Sequence, residues 1–150
     1  MRRFINIVEN AQDEALFGPI YHRTKSDLTD LSKFDLSKAS TSAVLGPAIY
    51  ASFGDSNWDV ADSRILAGHV RGPIIDLTQP LRPDDAVRLS ALLDRPVDAL
   101  PLLTLERRYG SVAAGLKAAG YAAAIHEGPG ATGKHIAVFD PSYIVNESCA

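Results

Sequence analysis

Two segments built alike constrain this chain more than anything else in it. They are Gly18-Pro19-Ile20-Tyr21-His22-Arg23-Thr24 and Gly46-Pro47-Ala48-Ile49-Tyr50-Ala51-Ser52. Each opens on a Gly-Pro break and continues as a short apolar run that includes aromatic residues, which is the composition of a strand bounded by a turn. Each offers one polar ring from that strand, His22 or Tyr50. A third segment, Tyr121-Ala122-Ala123-Ala124-Ile125-His126-Glu127, repeats the design and ends on a carboxylate. Three such strands, offering a histidine, a tyrosine and an acid, could together line a slot for a flat ring.

The rest of the chain supplies both strands and helices. Phe4, Ile5 and Val8 fall at helical spacing and predict an amphipathic first helix over residues 1–16. Residues 19–21 and 48–52 read as the first two strands. Residues 24–45 are polar but are punctuated by Leu28, Leu31, Phe34 and Leu36, which predicts an ordered loop with a helical turn. A short helix is expected over 57–62, capped by Asp55 or Ser56. Residues 64–70 and 74–77 read as two strands joined at the Gly72-Pro73 bend. Pro80 and Pro83 open a helical region in which Asp84 and Asp85 complement the helix dipole, and Arg95-Pro96 ends it. Leu105, Tyr109, Val112 and Leu116 fall on one helical face, with Thr104 as the expected cap and Gly120 as the stop. Residues 121–126 and 135–139 are strands around a loop. Strands and helices mix without strict alternation, which predicts an α+β fold and argues against a doubly wound parallel sheet.

Composition narrows the classes. The 150 residues suffice for a single domain with a core, and 46% hydrophobic with 22% charged residues is ordinary globular usage. A formal net charge of −3 gives no global basic footprint for nucleic acid. The one cysteine, Cys149, leaves no internal disulfide and no cysteine-based zinc site, and suits a reducing cytoplasm. Asn6 and Glu9 interrupt the apolar stretch at the start, so it does not read as a secretory signal. No segment approaches the ~20 apolar residues of a membrane span. The chain reads as soluble, with no membrane partner.

Two chemical motifs fail on context. Gly128-Pro129-Gly130-Ala131-Thr132-Gly133-Lys134 has the spacing of a phosphate-binding loop. His135 stands where that loop needs Ser or Thr, however, and the following residues read as a strand where a helix is required. A glycine-rich hairpin loop is the expectation. His22, His69, His126 and His135 match no zinc spacing, so no metal is expected.

The remaining pattern has a family likeness. Tyr21-His22-Arg23-Thr24 resembles the Y-H-x-T of the first strand of many ADP-ribosyltransferases, and Ile49-Tyr50-Ala51-Ser52 followed by Trp58 resembles the second strand of rifamycin-modifying members. The strand ending in Glu127, a glycine-containing loop and a strand ending in Asp140 are similar to small phage-encoded members, some of which act as anti-CRISPR proteins. The likeness covers residues 18–145. It implies a split β-sheet fold with NAD+ bound as substrate in the cleft, and no metal.

The resemblance also implies roles. His22 orients a ribose, and Tyr50, with Trp58 as a second wall, stacks the flat cationic nicotinamide ring. Glu127 holds the ribose hydroxyls and stabilises the oxocarbenium-like sugar formed when nicotinamide leaves. Thr24 and Ser52 are implied to bind the NAD+ as well. Arg23, where the family often has Gly, contacts the pyrophosphate. A competing alignment puts the acid at the start of the last strand, where this chain has His135; Glu127 is the preferred acid. The implied activity is mono-ADP-ribosylation of a macromolecule, a protein above all, with residues 24–45 and 54–59 facing the acceptor. An NAD+ glycohydrolase and a catalytically inactive binding domain on the same fold are the alternatives. The likeness further implies the cytoplasm of a bacterial cell and a phage or mobile-element source.

Overall fold

The computed structural model describes residues 16–24, 28–39, 45–53, 64–128 and 133–146. The strands are β1 (Leu16–Thr24), β2 (Ile49–Ser52), β3 (Arg64–Arg71), β4 (Ile74–Asp76), β5 (Ala123–Glu127), β6 (Lys134–Val138) and β7 (Ile144–Asn146). The helices are α1 (Pro83–Leu93), α2 (Leu102–Tyr109) and α3 (Val112–Ala118). The fold is α+β. Its strands form one seven-stranded sheet in the order β4-β5-β6-β2-β1-β3-β7. Every neighbouring pair is antiparallel except β4 and β5, which the three helices connect. Most of the predicted first helix, the helix over 57–62, and Trp58 with the 54–59 loop lie outside the described residues. Leu16, assigned to the first helix from sequence, instead begins β1.

The sheet is joined weakly at its middle. β1 runs beside β3 from Leu16↔Arg71 to Thr24↔Arg64, with an irregularity between Phe17 and Ile20 where Pro19 has no N–H to give. Against β2 it pairs only at Tyr21↔Ser52. β2 in turn pairs with β6 along its whole length. The strands therefore form two leaves, β4-β5-β6-β2 and β1-β3-β7. The leaves also meet at their far ends. β3 and β4 stand far apart in strand order, yet only Gly72 and Pro73 separate them. A flat sheet would hold these strands about five strand spacings of ~4.8 Å apart, so the sheet curls back on itself. Gly72, at φ +125°, sits where a Cβ would come within 2.8 Å of the Ala122 Cβ, and the Pro73 carbonyl accepts from Ala122 N.

Curling makes two cores. Ile20 and Val70 from one leaf meet Ile49, Ala51, Ile136 and Val138 from the other on the inner face, closed by Leu31 and Ile144. Leu31 lies in one of two single 3₁₀ turns, Leu31–Lys33 and Leu36–Lys38, each capped by an aspartate side chain that accepts from the backbone N–H two residues on. These turns are the helical content predicted for residues 24–45. The outer face of the β4-β5-β6-β2 leaf carries the second core, in which Ile75, Ala124 and Ala137 pack on Leu89, Leu105 and Leu116 of the helices.

The long helix expected from Thr104 to Gly120 is two helices. Thr104 lies inside α2, which ends at Gly110 with φ +94°. Ser111 then caps α3, its hydroxyl accepting from Ala114 N. A left-handed glycine followed by a serine is a stop and a start. Leu105, Val112 and Leu116 still reach the same core, because both helices pack on it despite the break.

Candidate functional site

Ladder register decides which side chains meet. Tyr21 pairs with Ser52, Ser52 with His135, and His135 with His126, so these four form one row across β1, β2, β6 and β5. Tyr50, Ala137 and Ala124 form the parallel row two residues further along β2. Residues paired or two apart share a face, and this face is the one the helices cover, since Ala124 and Ala137 pack in the helix-side core. His22 and Glu127 are one residue out of step with these rows and lie on the inner face. There His22 meets Phe34 edge-on at 5.6 Å, and exposed Glu127 stands opposite Lys134. The predicted slot of His22, Tyr50 and Glu127 is thus divided by the sheet. Tyr50 is on one face, and the histidine and the acid are on the other.

His22 nevertheless reaches Tyr50 through the backbone. Its Nδ1 lies 2.7 Å from the Tyr50 carbonyl oxygen. A carbonyl only accepts, so Nδ1–H donates. This bond sits where the β1–β2 ladder has stopped, and a side chain takes the place of a missing backbone donor. The Tyr50 ring is held from its other end. Its hydroxyl donates to Gly46 O at 2.6 Å and accepts from Leu45 N at 3.1 Å. Burial raises the Tyr50 pKa, opposed by these two backbone contacts, so the hydroxyl stays protonated.

What meets the Tyr50 ring is His126, edge-on with centroids 5.5 Å apart, and His135 follows at 6.2 Å from His126. Burial pushes the His126 pKa down, and the neighbouring His135 adds to the shift while the Glu127 carbonyl bond opposes it. Arg23 and Thr24 end β1, half-buried beside the divide, and the Ser52 hydroxyl points at the Tyr21 carbonyl over a long 3.5 Å. From sequence, His126 is weighed only as a metal ligand, and His135 as a metal ligand or as the residue in the acid's place of the competing alignment. Their period-two placement on the face of Tyr50 depends on strand register, which the sequence does not reveal. Position 135, where the competing alignment puts the acid, does open on the Tyr50 face.

Gly128 and Gly133 close a hairpin between β5 and β6, with Gly128 N donating to Gly133 O at 2.6 Å. The segment runs from strand to strand and opens no helix, as the hairpin expectation required. No helix among the described residues is long and apolar enough to cross a membrane. No protein family, curated protein or solved structure matches the chain.

Proposed function

We propose that this chain binds NAD+ where β1 and β2 part and transfers its ADP-ribose to a protein acceptor. The observation that carries the reading is the divided sheet, whose two leaves meet at Tyr21↔Ser52 and are stapled by the His22–Tyr50 carbonyl bond. The strands that flank the divide are the two that carry the Y-H-x-T and I-Y-x-S segments. A gap between unpaired strand edges offers backbone donors and acceptors to a ligand. Tyr50, fixed through its hydroxyl, offers a ring to the cationic nicotinamide. In the reaction the bond between the ribose C1′ and the nicotinamide nitrogen breaks, and the electron pair leaves with neutral nicotinamide. The acceptor forms the new bond to C1′ and gives up its proton. A carboxylate is needed to offset the positive sugar. Glu127, at the exposed last position of β5, is the residue assigned to this role. Arg23, Thr24 and Ser52 complete the set along the divide.

A second reading, a domain that binds the dinucleotide without cleaving it, is favoured by one observation. Glu127 lies on the face opposite Tyr50, while the corresponding place on the Tyr50 face is held by His135. The deciding experiment measures nicotinamide release from NAD+ by the purified protein, with and without bacterial lysate, for wild type, Tyr50→Ala and Glu127→Gln. Transfer predicts lysate-stimulated release with a labelled protein band, and a loss of at least about a hundredfold in Glu127→Gln. Release into water alone identifies a glycohydrolase. NAD+ binding with no release under any condition establishes the binding domain.

A further inference from the structure

His126 is 6% exposed, and its Nδ1 lies 2.9 Å from the Glu127 carbonyl oxygen. The carbonyl can only accept, so the hydrogen sits on Nδ1 and the neutral ring carries a bare lone pair on Nε2. That Nε2 is buried and has no hydrogen-bond partner among the described residues. A buried acceptor left unmade is costly, and folded proteins leave few of them. Two rings bear on His126. Tyr50, held by Leu45 N and Gly46 O, lies edge-on at 5.5 Å, and His135 lies at 6.2 Å.

We propose that His126 is a specificity-determining residue of the site at the divide, its Nε2 accepting a hydrogen bond from the carboxamide NH2 of the nicotinamide ring. The inference rests on the NAD+ reading above and deepens it. The Tyr50 and His135 rings lie edge-on to His126 on one face of the sheet, and the lone pair beside them calls for a neutral donor at the rim of a flat ligand ring. A carboxamide supplies one. A carboxylate in the same place supplies only acceptors and sets its charge against the lone pair.

Calorimetric titration at pH 8 with NAD+ and with its deamidated counterpart, which bears nicotinic acid in place of nicotinamide, tests this on wild type and His126→Phe. Phe keeps the ring against Tyr50 and removes the acceptor. Wild type is expected to prefer NAD+ by about tenfold or more, and His126→Phe to bring the two affinities within about twofold of each other, chiefly by weakening NAD+. Equal binding of the two dinucleotides by wild type overturns the inference while leaving the NAD+ reading intact. So does a His126→Phe protein that keeps the wild-type ratio. Binding of neither by wild type removes the NAD+ reading and this inference with it. The wild-type ratio stands on its own even if the variant folds poorly.

Discussion

The bond from His22 Nδ1 to the Tyr50 carbonyl can be weighed by three substitutions at one position. His22→Phe keeps an aromatic ring against Phe34 and deletes the donor. His22→Asn carries an amide N–H close to the place of Nδ1 and deletes the ring. His22→Ala loses both. A neutral hydrogen bond contributes about 1 kcal/mol net, and a half-buried carbonyl left without its donor brings the loss for His22→Phe to roughly 1–1.5 kcal/mol. The edge-on contact with Phe34, at 5.6 Å, adds about 0.5–1.5 kcal/mol beyond its buried area. His22→Ala is therefore expected to lose roughly 2–3 kcal/mol. In a chain of 150 residues each kcal/mol lowers Tm by about 2–4 °C. Urea unfolding supplies the energies, and amide exchange supplies the place: protection of residues 49–52 should fall in His22→Phe and hold in His22→Asn. If His22→Phe unfolds within about 0.5 kcal/mol of wild type and residues 49–52 exchange as before, the bond contributes nothing to joining β1 and β2. The two leaves are then held together without it.

Three further outcomes follow from other polar groups. The Tyr121 hydroxyl donates to the buried Asp85 carboxylate at 2.6 Å, and burial followed by this contact raises the Tyr121 pKa far above its ordinary value. Tyr121→Phe should cost about 2 kcal/mol by thermal unfolding, because Arg82 at 3.8 Å is too exposed to compensate; Lys117→Ala, which breaks the exposed pair with Asp140, should cost under about 1 kcal/mol. The folded His126 pKa lies below the ordinary 6.5, so below that pH the unfolded chain binds a proton the folded chain does not. Its contribution to stability is present above about pH 6.5 and lost as pH falls, by at most ~1.4 kcal/mol per pH unit. Urea midpoints at pH 7.5 and pH 5 should draw closer together in His126→Phe than in wild type, and an unchanged gap would refute the assignment.

Local chemistry made much of the fold readable in the chain. Gly46-Pro47 announced β2 and Gly72-Pro73 the bend between β3 and β4, whereas Gly18-Pro19, expected to open the first strand, lies inside β1 at its irregularity. The aspartates before Ser32 and Ser37 lie in a stretch already expected to be ordered. Gly110-Ser111 carried a helix break that the regular spacing of Leu105, Val112 and Leu116 concealed, since both helices dock on one core. The site was less readable, because alternation along a strand gives two faces without saying which strand's face meets which. His22 and Tyr50 each sit at the polar position of a similar segment. The pairing Tyr21↔Ser52 puts them out of step by one, and that single register sends one ring inward and the other toward the helices. His126 reads as a flanking residue until β5 is placed beside β6.

The path of the chain between the two leaves limits how far they can separate. It passes from one leaf to the other between β1 and β2, between β2 and β3, between β3 and β4, and between β6 and β7. The third passage is two residues long. A pair of lobes on one tether can swing like jaws, but leaves laced together by several strands of the same chain cannot. A ligand bound at the proposed site would meet leaves already fixed to each other, so little ordering would remain to be done on capture. Selectivity there would then depend on the shape and polarity of the opening more than on closure around the guest.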